Sequence, residues 1–159
     1  MCVDLYRPGL GELWFKQALL ADPDTMSYNR AWGGCVDFPE ELWTRWHAAW
    51  LGPDGEKDGR RFYRYLRERA SGEFVGEVAW HWDAGTERHV ADVIVHARWR
   101  GHGYGAAGLE LLCDAARERG LAELWDGIAL DNPSIGLFLR HGFEEVERAD
   151  GLVWVRRRL

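Results

Sequence analysis

Two groups of residues in this chain have types and spacing that could do chemistry. The first is the stretch Arg100, Gly101, His102, Gly103, Tyr104 and Gly105, in which glycines fall on alternate positions. Backbone N–H groups with no Cβ beside them let a ligand come close, and here they stand directly before residues that read as a helix. A helix start carries about half a positive charge together with unpaired donors. The pattern suits an anion, a phosphate or diphosphate above all; a tight strand-to-helix turn that binds nothing would need fewer glycines. The second group is Glu77, His81 and Asp92, two carboxylates and an imidazole able to take up or release a proton near neutral pH.

The elements that must position these groups follow from the hydrophobic pattern. Val90 to Val95 is a run of mostly Val, Ala and Ile, which favours an extended strand. The helix expected over Tyr104 to Arg119 puts Gly105, Gly108, Leu109, Leu112 and Ala116 on one face, with Gly120 where a terminating glycine belongs. Three strands are expected at Arg61 to Arg69, Phe74 to Trp82 and His89 to His96, joined by hairpins. Closing the second hairpin around Gly85 and Thr86 pairs residues whose numbers sum to 171. Val78, Trp80, Trp82, Ala91, Val93 and Val95 then share one face. Glu77, His81, Asp92 and His96 share the other with Val75, Ala79, Val90 and Ile94. Gathering four titratable groups on one face of a central sheet is costly unless they have a task or that face meets water, and a one-residue bulge would reverse the parity.

Upstream, Val3 to Tyr6 reads as a short strand and Leu10 to Leu20 as an amphipathic helix. Asp22 to Phe38 is rich in turn residues, and Pro39 to Leu51 reads as a second helix with Trp43, Trp46 and Trp50 in a stripe that suits core packing. Downstream, Leu124 to Leu130 reads as a buried strand. Asn132 and Pro133 then open a helix that runs to Arg140 and ends at Gly142, and Phe143 to Glu147 and Leu152 to Arg158 read as a closing hairpin.

Composition excludes several classes. A length of 159 residues suits one domain over 1–159, and 47% hydrophobic residues fit a globular core. The net charge of −6 is concentrated early, with ten acids against five bases in residues 1–58. That balance argues against a nucleic-acid platform and is compatible with either a cationic amine partner or a solvated acidic surface. Three scattered cysteines give neither a disulfide framework nor a zinc site, so no metal is expected. No apolar run reaches the ~20 residues that cross a membrane, and the N-terminus lacks a signal pattern, so no membrane partner and a cytoplasmic location are expected.

The glycine stretch discriminates between phosphate-binding motifs. A P-loop needs a Lys followed by Ser or Thr, and there is none here. Gly101, Gly103 and Ala106 satisfy GxGxxA, but the preceding strand reads as an arm of an antiparallel hairpin, and no acidic residue closes a following strand as a dinucleotide fold requires. At VHARWRGHGYG the sequence instead resembles the GNAT superfamily of acyl-CoA-dependent N-acetyltransferases, whose diphosphate loop reads Q/R-x-x-G-x-G/A, matched by Arg100, Gly103 and Gly105. DNPSIGLFLRHGF, Asp131 to Phe143, resembles that family's N-x-x-A-I-x-L-Y-x-K-x-G-F helix. The resemblance, over about residues 88 to 148, implies an α/β (α+β) fold. It would be a mixed, mostly antiparallel sheet of six to seven strands with about four helices and a splayed parallel pair in its centre.

It also implies acetyl-CoA as co-substrate, held by Arg100, Gly101, His102, Gly103, Tyr104 and Gly105, by the backbone near Val93 and Val95, and by Asn132 and Phe138. The implied activity is acetyl transfer to a primary amine of a small molecule or peptide by direct attack in a ternary complex. Homodimers are common among such proteins. An attacking amine must be neutral, so a base is required, and Asp92 and Glu77, then His81, are the candidates. The family's usual Tyr, which protonates the departing thiolate, is replaced by Phe138. Tyr104, Ser134 or water would then serve, or the protein would be a non-catalytic acyl-CoA-binding sensor.

Overall fold

The computed structural model describes residues 2–159. One seven-stranded sheet runs through it, with strands β1 (Val3–Tyr6), β2 (Arg61–Glu68), β3 (Phe74–Asp83), β4 (Arg88–Val95), β5 (Glu123–Ala129), β6 (Glu144–Ala149) and β7 (Leu152–Arg158) in the order β1-β2-β3-β4-β5-β7-β6. Every neighbouring pair is antiparallel except β4 and β5. This parallel pair meets at Val90 and Trp125, the single register position at which the two strands are joined. Beyond it they splay, and the sheet opens.

Four α-helices flank the sheet: α1 (Trp14–Ala21), α2 (Trp43–Leu51), α3 (Tyr104–Glu118) and α4 (Ile135–Arg140). Helix α3 makes the right-handed crossover that a parallel strand pair requires. Its face of Leu109, Leu112, Cys113 and Ala116 is fully buried in one cluster with Leu66, Val78, Trp80, Ala91 and Leu124. Gly108 is required there, because a Cβ would lie 2.6 Å from a Leu66 methyl. Helix α4 joins the same cluster through Phe138. Helices α1 and α2 cover the other face, where Phe15, Leu19 and Leu51 pack on Tyr63, Tyr65 and Ala79. The Trp46 and Trp50 rings lean on this cluster and Trp43 and Trp46 on its neighbour, so the tryptophan stripe is a packing surface. Among the described residues no helix is long and apolar enough to cross a membrane.

The β3–β4 register is the expected one, Gly76 with Val95 through Asp83 with Arg88. Parity fails at one place. A bulge shifts the β2–β3 register between Leu66 and Arg67, so Phe74 joins the α1 side and Val75 is fully buried on the α3 side, opposite to expectation. Helix starts also differ. Leu10–Glu12 and Glu40–Leu42 are 3₁₀ turns that precede α1 and α2. The last helix begins only at Ile135, because the Asn132 Oδ1 accepts the Ser134 N–H at 2.9 Å and holds an Asx turn in place of a first helical turn. The expected glycine stops hold: Gly120 and Gly142 have φ of +78° and +80°.

Glu77 corrects an expectation as well. It lies on the α1 side, but it is buried and Lys16 Nζ reaches both its oxygens at 3.3 Å, while the Tyr63 hydroxyl donates to one of them. The Lys16 ammonium sits over the Trp46 and Tyr63 rings at 4.9 and 4.7 Å. This pair ties α1 to the sheet. Lys16→Met would leave the carboxylate buried without its cation, which typically costs about 3–5 kcal/mol. Denaturant unfolding is expected to show that loss, and the double variant Lys16→Met/Glu77→Gln is expected to recover a large part of it.

Candidate active site

The opening between β4 and β5 continues into a cavity of about 870 Å³ that passes from the start of α3 to the sheet face bearing α1 and α2. Backbone alternation sets what faces the gap. The His96 N–H donates to the Val75 carbonyl on β3 at 2.9 Å, so the N–H groups of Val95 and Val93 turn the other way, toward β5, which is no longer paired there. Both residues line the cavity. Unpaired strand amides in an interior need an acceptor, and a ligand lying along the gap would supply one.

At one end of the cavity stands the glycine loop. Gly101 and Gly103 take φ of +79° and +81°, a conformation that glycine reaches without penalty, and a Cβ at either would meet nothing within 4 Å. The loop is therefore shaped by an open concavity and not by packing. Among the described residues the N–H groups of Gly101 through Ala106 find no acceptor in the protein; the first helical bond is Ala107 N–H to Gly103 O at 3.1 Å. Consecutive free donors at a helix start form an anion cradle. Gly103, Tyr104 and Gly105 line the cavity with Gly101.

Arg100 lines the cavity and also holds a neighbouring segment. Its guanidinium donates to the carbonyls of Asp24 and Thr25 at 3.2 and 2.7 Å and lies over the Tyr28 ring at 4.2 Å. Thr25 Oγ1 in turn accepts the Ala97 N–H at 2.9 Å. Together they clamp the 3₁₀ segment Thr25–Trp32 across the cavity mouth, with Trp32 still 54% exposed. The His102 ring points out of the cavity, stacked on Tyr104 with Nδ1 beside the carbonyls of Trp99 and Arg100, so only its backbone belongs to the loop. Asn132 and Phe138 line the wall opposite β4. Phe138 is buried and packs edge-on against Phe143, with the ring centres 5.0 Å apart.

The other end is acidic. His81 and Asp92 face each other across β3 and β4 with Nδ1 and Oδ2 3.7 Å apart, and the Asp92 carboxylate holds the imidazole pKa above its ordinary value. Glu77, four residues before His81 on β3, is committed to Lys16 and does not line the cavity. His96 is turned to Asp22 at 3.7 Å and is also absent from it. The structure thus brings together two of the three expected catalytic residues.

It adds a cavity carboxyl that sequence reasoning missed. Asp126 on β5 lines the cavity, makes no side-chain hydrogen bond among the described residues, and has its pKa pushed well above the carboxylate range by burial and then by the Asp92 charge. Its signal was a lone carboxyl inside the apolar run Leu124 to Leu130. Among the described residues no group of His, Cys, Asp and Glu is placed to hold a metal ion.

A sheet split at one parallel pair, with an anion cradle at the head of the crossover helix, defines a fold that accepts a long, phosphate-bearing ligand through its middle. The family model of the GNAT family of acetyltransferases matches residues 23–143, and the chain belongs to that family. Its fold is shared with solved structures. The ribosomal-protein-alanine N-acetyltransferase from Brucella melitensis is 24% identical, with 98% of this chain and 99% of that one covered and a TM-score of 0.73. A phosphinothricin acetyltransferase from Sinorhizobium meliloti in complex with AcCoA is 18% identical, with coverage of 100% and 89% and a TM-score of 0.77. The spermidine N-acetyltransferase from Vibrio cholerae in complex with CoA and spermine is 15% identical, with coverage of 98% and 93% and a TM-score of 0.76. No curated protein matches the chain.

The His81–Asp92 contact is open to a direct check. Asp92→Asn is expected to lower the His81 titration midpoint toward the ordinary imidazole value, followed by NMR of the ring protons. An unmoved midpoint would show that the two groups do not interact in solution.

Proposed function

We propose that the protein is an N-acetyltransferase that moves an acetyl group from acetyl-CoA to a primary amine of a small molecule or peptide, by direct attack within a ternary complex. The observation that carries this reading is the row of acceptor-free amides from Gly101 to Ala106, opening onto a gap whose strand amides are also free. An anion with an amide-rich tail satisfies both, and coenzyme A has that form: its diphosphate suits the loop and its pantetheine amides suit Val93 and Val95. The solved structures of this fold in complex with CoA or AcCoA support it.

When bound, acetyl-CoA supplies an activated carbonyl on a thiol leaving group. The chain's own groups do the rest. The amine needs its lone pair, and the His81–Asp92 pair is placed to take its proton, directly or through water. A gap-facing amide of β4 is suited to receive the oxyanion. The cavity is charge-segregated: dipole and free amides at one end, Asp83, Asp92 and Asp126 at the other. An amine acceptor, cationic in solution, matches the acidic end. Small-molecule and peptide acceptors both fit an opening roofed by Tyr28 and Trp32. A non-catalytic acyl-CoA sensor is the alternative, favoured by the single observation that Phe138 brings no hydroxyl to the cavity.

Calorimetry is expected to show acetyl-CoA binding, and Gly103→Glu, which forces a side chain into the left-handed region and a charge into the cradle, is expected to weaken it at least about tenfold. No binding to the unmodified protein would overturn the reading. With an amine panel, thiol release is expected, and Asp92→Asn is expected to lower its rate by about 10²-fold or more with affinity for acetyl-CoA little changed. The rate is expected to rise with pH on the acidic side, since the His81–Asp92 pair or the amine must lose a proton first. Tight binding with no thiol release from any amine would favour the sensor.

A further inference from the structure

We propose that Asp126 is the acid that protonates the departing thiolate, in the place that Phe138 leaves without a hydroxyl; this rests on the acetyltransferase reading above. The other proton-bearing groups that line the cavity are each less suited to that step. The Tyr104 phenol, at the head of α3, has its pKa raised by burial and then by the Glu68 charge, which makes it a poorer proton donor. Tyr28 lies beneath Arg100 at the mouth and is 42% exposed. Ser134 offers an alcohol, far too weak an acid to hand over its proton unaided. Asp83 accepts from the Gly85 N–H and the Thr86 hydroxyl at 2.9 and 2.8 Å, which holds its pKa down and leaves it ionised. Asp92 is committed to His81.

Asp126 differs from all of these. It projects from β5 one residue beyond Trp125, where the two parallel strands part, so its carboxyl stands at the floor of the gap. Among the described residues no side chain donates to it, and the Gly127 N–H beside it works against burial and the Asp92 charge. The charged groups that line the same cavity are Asp92 on β4, His81 and Asp83 on β3, Arg140 on α4, and Arg100 on the loop, held by the Asp24 and Thr25 carbonyls; from β7 comes Trp154, beneath an Arg88 that is turned to Glu147 at 2.8 Å. The dominant influences, burial and then the Asp92 charge, both favour the protonated form of Asp126. The Asp126 carboxyl and the His81–Asp92 pair thus divide the two proton transfers between an acid and a base.

The step balances. The amine lone pair forms the C–N bond while the carbonyl π pair moves to oxygen. The adduct nitrogen loses a proton to the His81–Asp92 pair. Collapse breaks the C–S bond, its electron pair leaves with sulfur, and sulfur takes the Asp126 proton. The proton held by His81–Asp92 then returns to Asp126 through the cavity, so amine and thioester become amide and thiol with no residue changed.

The test is kinetic, on the full chain. Asp126→Asn keeps shape and volume, and is expected to lower kcat about 10–100-fold with the dissociation constant for acetyl-CoA within about threefold. The fall in kcat at high pH, caused by loss of the Asp126 proton, is expected to vanish in this variant. Phe138→Tyr added to Asp126→Asn is expected to restore at least about tenfold of the loss, an effect that a merely structural role for Asp126 would not produce. A kcat within threefold of the original, an unchanged high-pH limb, or no rescue by the added tyrosine would overturn the assignment. If the unmodified protein binds acetyl-CoA yet acetylates no amine, this assignment falls while the cofactor reading stands. If it does not bind acetyl-CoA, the enzymatic reading falls first.

Discussion

The structure depends on a limit to strand pairing. β4 and β5 are joined at Val90 and Trp125 and then part, while β4 stays paired to β3 along its length and β5 to β7 along its own. Parallel strands need a crossover, and α3 supplies it while its buried leucine face holds the splayed β4 in place. The result is an interior with backbone donors left open by design of the topology. Buried amides without acceptors are rare in folded chains, and a pair of them in a cavity this size indicates a ligand that completes the sheet.

Polarity along that gap follows from the same arrangement. The parallel strands point their C-terminal ends at the head of α3, so helix dipole and glycine amides gather there, while side chains of β3, β4 and β5 that project near the join bring carboxyls together at the opposite end. On the proposed reading, a donor that is anionic at its far end and neutral at its thioester meets an acceptor that is cationic until it reacts. Arg100, which lines the cavity and holds the Thr25–Trp32 segment, ties the glycine loop to the segment across the cavity mouth.

Much of this was legible in the sequence because it is local. The hairpin around Gly85 and Thr86 fixes its own register, and with it the placing of His81 and Asp92 on one face. Alternating glycines before an amphipathic helix specify their backbone without reference to the rest of the chain. What could not be read was set at a distance. Nothing near Glu77 reveals that Lys16, 61 residues earlier, will neutralise it, and nothing near Val75 reveals a bulge whose cause lies in the pairing with Leu66 and Arg67. Arg100 was legible as a cation but not as a clamp, since the carbonyls it binds are 75 and 76 positions away. Asp126 was hidden because a buried strand and a cavity floor have the same pattern until the neighbouring strand is known to leave.

The central claim is that the bare amides before and within the first turn of α3 hold the diphosphate of coenzyme A. Amide NMR of ¹⁵N-labelled protein titrated with coenzyme A tests it most directly, since glycine amides resolve well and report hydrogen bonding to an anion. The account predicts large downfield shifts at Gly101, Gly103 and Gly105, reproduced by ADP, which carries the diphosphate, and absent with pantetheine, which lacks it. Binding that leaves these three signals in place while others move would contradict it.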